Sequence, residues 1–105
     1  MDISDRQLQL GRFWKKYLRM MRAGVPALRA LEVISEEETS PEFVCVILAL
    51  RAALEQGDLL SEAMQRQNPF FSRSVLEMVR AAEKGGHWDV VVGELADGYL
   101  DGTFD

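Results

Sequence analysis

The stretch Arg22-Ala23-Gly24-Val25-Pro26-Ala27-Leu28-Arg29-Ala30-Leu31-Glu32-Val33-Ile34 decides how this chain folds. A helix-like segment runs up to it and must stop at Gly24, because glycine enters the left-handed conformation that closes a helix at little steric cost. Pro26 suits the first position of a new helix, where its missing N–H would have no partner anyway. Leu28, Leu31 and Ile34 follow at three-residue steps and share one face. The stretch is the corner of a helical hairpin. Gly57 and Gly85-Gly86 repeat the device, each between two amphipathic segments.

Working outward, the first helix is predicted over residues 5–22, started by Ser4 or Asp5 as cap. Leu10, Phe13, Trp14, Tyr17, Leu18 and Met21 make its apolar face; Arg12, Lys15, Lys16, Arg19 and Arg22 line the other side. The second helix runs from Pro26 to Glu37 and ends in the acidic run Glu36-Glu37-Glu38, where the helix dipole disfavours negative charge; this is a solvated end. Ser40-Pro41-Glu42 starts a third helix that reaches Gln56. Phe43, Ile47, Leu50 and Leu54 form its stripe, and Val44, Val46 and Leu48 widen it. A helix this apolar is central in the bundle or half of a subunit interface, so Phe43, Val44, Val46 and Ile47 are the candidates for self-association.

Asp58 is the expected cap of a short fourth helix over 59–66. Asn68-Pro69 ends it, since the residue before proline is pushed out of the helical region, and Phe70 and Phe71 are expected to plug the core. Ser72 caps a fifth helix through Lys84, and a sixth spans Trp88 to Leu100, weakened by Gly93 and Gly98 by about 1 kcal/mol each. The tail 101–105 is expected to fray. No segment alternates with period two. The fold is all-α: one domain over residues 1–105, core about 5–100, a six-helix antiparallel bundle built from three hairpins. Corners 33 and then 28 or 29 residues apart raise a helical-hairpin solenoid as competitor, but the units differ in sequence, which favours a closed bundle.

Charge narrows the partners. The 105 residues carry net −5, yet residues 1–30 hold seven Lys/Arg against Asp2 and Asp5, while residues 31–105 hold five bases and fifteen acids. A basic stripe on an acidic body does not read as a nucleic-acid surface; it fits an acidic protein partner or an anionic membrane surface. The longest apolar run, 44–50, falls far short of the roughly 20 residues that cross a bilayer, and the first residues lack a signal-peptide pattern. Chemistry is sparse. His87 stands alone in a turn, and Cys45, the one cysteine, lies on an apolar helix face where thiols are usually inert packing. No zinc set, phosphate loop or nucleophile elbow occurs, and no acidic run has the spacing of a calcium loop. No catalytic residue, cofactor or metal ligand is assigned.

Three motifs in order then resemble one family: Arg22-Ala-Gly-Val-Pro-Ala-Leu-Arg-Ala-Leu-Glu-Val-Ile34, Gly57-Asp-Leu-Leu-Ser-Glu-Ala-Met64 and Met78-Val-Arg-Ala-Ala-Glu-Lys-Gly-Gly-His-Trp-Asp89 are similar to the type II secretion system F domain. Residues 12–100 carry the resemblance. Leu59 stands where the family tends to have Ser, Ala82 where it has Gly, and His87-Trp88 where it has Asn-Leu. The resemblance implies a six-helix bundle that often self-associates and is not an enzyme: the cytoplasmic domain of the inner-membrane platform protein of type II secretion or type IV pilus assembly. Its implied partners are the assembly ATPase, neighbouring platform proteins and a second copy, on the cytoplasmic side of the bacterial inner membrane, with no membrane span in this chain. Calcium at a subunit interface, known for some relatives, is the one ion it leaves open. Arg12, Lys15, Lys16, Arg19 and Arg22 are then the candidate contact for an acidic partner or lipid headgroups.

Overall fold

A computed structural model describes residues 4–100, all of whose regular structure is helical; the tail 101–105 lies outside them. Helix α1 (Asp5–Arg22) opens on a reciprocal cap: Ser4 Oγ accepts the Gln7 N–H at 3.1 Å, and the Ser4 N–H donates to Gln7 Oε1 at 3.0 Å. It closes at Gly24, whose φ of +82° only glycine adopts without strain. Helix α2 (Ala27–Glu37) starts one residue later than expected. Pro26 is its extended cap residue, with φ −60° and ψ 149°, rather than its first helical residue.

Helix α3 (Pro41–Glu55) begins as expected, with Ser40 Oγ accepting the Phe43 N–H. Helix α4 (Leu60–Gln65) is shorter than predicted. Helix α5 (Arg73–Gly85) is capped by Ser72 through the Val75 N–H, and α6 (Trp88–Leu100) follows the turn at Gly86.

The order of packing is a ring. Each helix lies against the next, and α6 returns to α1 in the most extensive contact of the fold. Gly11 of α1 makes that closure possible: a Cβ there would lie 2.8 Å from Leu100 Cδ2 and 3.2 Å from Tyr99 Cβ. At the other end a Cβ on Gly93 of α6 would meet Leu18 Cδ2 at 3.8 Å, an ordinary contact. Low numbers in α1 meet high numbers in α6, so the two helices run in opposite directions. A hairpin solenoid would leave its first and last helices apart. This chain closes, with extents of 39 × 32 × 27 Å and a radius of gyration of 12.7 Å, against about 13 Å for a compact domain of this length.

Inside the ring runs a chain of aromatic rings. Tyr17 stacks near Phe13, Phe13 meets the edge of Phe43 at 5.6 Å, and Phe43 stacks on Phe70 at 5.8 Å. Phe71 is buried as expected, but Phe70 is only half-buried: it sits at the rim, with the Arg6 guanidinium 3.9 Å above its ring. The loop after α4 is therefore held to the start of α1 by a cation over an aromatic face.

Two outcomes follow. Gly11→Leu must push Leu100 or the backbone aside, so it should lower stability by about 1–3 kcal/mol, whereas Gly11→Ala, which gains helix propensity against the same contact, should change it far less; urea unfolding of both variants checks this. The only two tyrosines, Tyr17 and Tyr99, are both buried; burial pushes the Tyr17 hydroxyl up and the Tyr99 hydroxyl up to about 12. An acid group whose folded value is raised stabilises the fold fully below its ordinary value of 10 and loses that contribution as pH climbs past it. Tyrosinate absorbance should therefore lag free tyrosine above pH 10 and rise together with loss of helical circular dichroism.

Candidate docking surfaces

The three glycine corners gather at one end of the ring, around an apolar cleft of about 380 Å³. Met21 and Val25 come from the first corner, Leu54 and Leu59 from the second, Glu83 and Trp88 from the third. Local sequence dictates the corners; the closure of α6 on α1 brings them together. Trp88, half-buried, lines this cleft at the start of α6.

Glu83 ties the end together. Its carboxylate accepts both the Ser61 N–H at 2.9 Å and the Ser61 hydroxyl at 2.6 Å, from a helix 22 residues earlier. Ser61 Nα belongs to the first turn of α4, where N–H groups have no intrahelical partner, and Ser61 is itself 2 % exposed. A second acid, Glu62, accepts the Leu59 N–H at 2.9 Å. The expected cap, Asp58, does neither. It pairs instead with Arg66 at 2.8 Å, spanning the short helix from outside. The N-terminus of α4 is thus satisfied by Glu62 and Glu83, and the reason is reach: Asp58 precedes an extended Leu59 with φ −73° and ψ 149°, which carries it away from the first turn.

The second surface is the outer side of α1. Arg12, Lys15, Arg19 and Arg22 are exposed, and none of the four has a carboxylate within ion-pair distance among the described residues. Lys16 departs from this group: it leans toward α2 and pairs with Glu37 at 3.6 Å. At 100° per residue the other four pass round the helix from the α2 side toward the α6 side, in a line about 15 Å long. Most of the bases elsewhere are engaged, Arg29 and Arg51 with Glu32, Arg51 also with Glu55, Arg66 with Asp58 and Arg73 with Glu77.

The expected self-association residues on α3 fall differently. Phe43, Val46 and Ile47 are buried in the core with Leu50, because the 3–4 spacing of 43, 46, 47 and 50 puts them on one inward face. They are spent on the monomer's own packing. Val44 lies at the boundary, and Cys45 and Leu48, 46 % exposed, point outward. His87 is exposed in the last turn. Among the described residues no three His, Cys, Asp or Glu side chains come together as a metal site, and no helix is long and apolar enough to cross a membrane.

Gly11, the Ser61–Glu83 bridge and the acidic outer side of α6 went unread in the sequence. A glycine in mid-helix was the available signal for the first; nothing local announces a pair 22 residues apart.

Comparison with known proteins bears on these features. The family model described as "Type II secretion system (T2SS), protein F" matches residues 13–103. The chain is 34% identical over 92 residues to type II secretion system protein F of Xanthomonas campestris pv. campestris, covering 88% of this chain and 22% of that protein. It is 31% identical over 78 residues to the Vibrio cholerae protein of the same name, covering 74% of this chain and 19% of that one. It is 26% identical over 84 residues to type IV pilus assembly protein PilC of Myxococcus xanthus, covering 80% and 20%. The chain thus spans about a fifth of the length of these relatives.

The bridge predicts a coupled pair. Glu83→Ala strands a buried hydroxyl and a helix N-terminal N–H, and should lower stability by about 2 kcal/mol. On a Ser61→Ala background the same change should cost less, by about 1 kcal/mol. Strictly additive values in a urea double-mutant cycle would deny the bridge any role.

Proposed function

The chain belongs to the type II secretion system protein F family, and from that premise we propose that it is a non-enzymatic docking domain of a secretion or pilus platform. In this reading it works at the cytoplasmic side of the bacterial inner membrane and contacts the assembly ATPase and neighbouring platform proteins through the basic side of α1. The relatives named above are described by type II secretion and type IV pilus assembly, which supports an assembly role rather than a metabolic one.

One observation carries the choice of surface. Four exposed cations stand in line on α1, without carboxylate partners among the described residues, on a chain of net charge −5. Unneutralised charge of one sign held on a rigid helix steers a partner of opposite sign and sets its orientation. An acidic protein face is favoured over headgroups because the rest of the body is itself strongly acidic and only this narrow line is basic. Exposed cations of this kind contribute little to the fold, so changing them separates binding from stability.

Charge reversal of Lys15, Arg19 and Arg22 to Glu should leave thermal unfolding within a few degrees of the parent. It should abolish low-salt co-purification with the cognate ATPase and platform proteins, and the parent complex should weaken steeply between low salt and about 1 M, where the Debye length is about 3 Å. Capture of the reversed variant at undiminished yield would remove α1 from the interface.

A further inference from the structure

The cleft at the corner end plays no part in the docking role above. Buried Tyr17, Ala30 and Leu60 make its floor, Trp88 stands half-buried in its wall, and Leu59, 53 % exposed, is at its rim. Two carboxylates, Asp58 and Glu83, join this apolar lining, and no basic side chain does among the described residues. A cleft of about 380 Å³ holds a ligand of modest size, and apolar walls with a few convergent polar groups are how small-molecule sites are built.

The carboxylates set the sign of the ligand. Glu83 accepts two hydrogen bonds from Ser61, but both donors are neutral, and no lysine, arginine or histidine stands within ion-pair distance of it among the described residues. Glu83 therefore keeps its negative charge while half-buried beside apolar walls, where a low local dielectric strengthens electrostatic attraction. Each of its oxygens has a further lone pair for one more donor. Asp58 gives Oδ2 to Arg66 at 2.8 Å. The rings of Tyr17 and Trp88 add π faces, which attract cations.

The apolar surface stops at the rim. Of the exposed large apolar side chains Leu48, Leu59 and Val90, only Leu59 lines the cleft, so a partner's chain would find no apolar track leading out of it. We infer that the cleft binds a free small molecule whose apolar body carries a cationic amine head. The body packs against Leu60 and Trp88, and the head meets Glu83 and Asp58. Selectivity is by sign: a carboxylate head would stand beside two like charges and apolar walls with no base to offset it. None of the four cations on α1 lines this site, so it is separate from the docking face proposed there. Its walls come from all three corners, so an occupant ties the corners together and stabilises the folded chain by mass action.

Octylammonium, octanol and octanoate carry the same length of alkyl chain and differ in the head. Titrated into the chain and followed by the indole N–H resonances of its two tryptophans, octylammonium should saturate and shift the Trp88 signal more than that of buried Trp14. It should bind about tenfold more tightly than octanol and raise the melting temperature, while octanoate should not bind. Glu83→Gln, whose amide can still serve the Ser61 N–H and hydroxyl, should cut octylammonium affinity about tenfold and leave that of octanol in place. Asp58→Asn, which does not touch the Ser61 bridge, should weaken octylammonium in the same direction. Ala27→Trp, at an exposed position of the lining, should block both ligands.

A Trp88 resonance that octylammonium fails to shift to saturation would overturn the inference. So would octanol or octanoate bound as tightly as octylammonium, or an octylammonium affinity unmoved in both carboxamide variants. Charge reversal at Lys15 and Arg19 should leave octylammonium binding unchanged, so the cleft and the α1 docking face stand or fall separately.

Discussion

The close approach of α1 to α6 is the constraint on which the rest of this fold depends. Five of the six helix pairings join neighbours in sequence and could form in an open stack; only this one closes the ring. It is tightest at position 11, where a Cβ would lie 2.8 Å from Leu100 Cδ2 and 3.2 Å from Tyr99 Cβ. Glycine in mid-helix costs about 1 kcal/mol relative to alanine, and the close packing that it admits offsets this. With the ring closed, the three corners meet at one end, and the charged sides of the first and last helices lie next to each other. Both candidate surfaces are consequences of one contact.

The local grammar of the chain was legible in its sequence. Caps at Ser40 and Ser72, the proline at the start of α3 and the glycine corners all act within a few residues, and each sits where its chemistry places it. Boundaries moved by a residue or two, as at Pro26. What stayed hidden was non-local. A rule that assigns the nearest acid as cap chose Asp58, whereas the first turn of α4 is satisfied by Glu62 from within and by Glu83 from α5. Pairs 22 residues apart leave no periodic trace.

The α3 residues show the same boundary from the other side. Their apolar character was plain, but whether an apolar face looks into the core or out to a partner depends on which neighbours surround it. Phe43, Val46 and Ile47 look in. The outer side of α1 was read correctly as a basic line, yet Lys16 could not be told from its neighbours until Glu37 was placed beside it.

Family motifs and function separate in this domain. The segments that carry the resemblance build the corner end: Gly24 and Val25 at the first corner, Ser61 in the second motif and Glu83 in the third, the last two joined directly. The charged lines on α1 and α6 lie outside those segments for the most part, on surfaces that packing leaves free to differ. In the docking role proposed for it, such a domain would act through where it places charge, which rigid helices hold in place.

The most direct test uses the three lysines. Lys15 and Lys16 lie on α1, while Lys84 stands exposed near the end of α5. Amine labelling of the chain, alone and in the assembled secretion or pilus platform, reads each by mass spectrometry. Strong protection of Lys15 on assembly, with Lys84 labelled as before, is the expected result for a docking face on α1. Equal labelling of Lys15 in both states would contradict it.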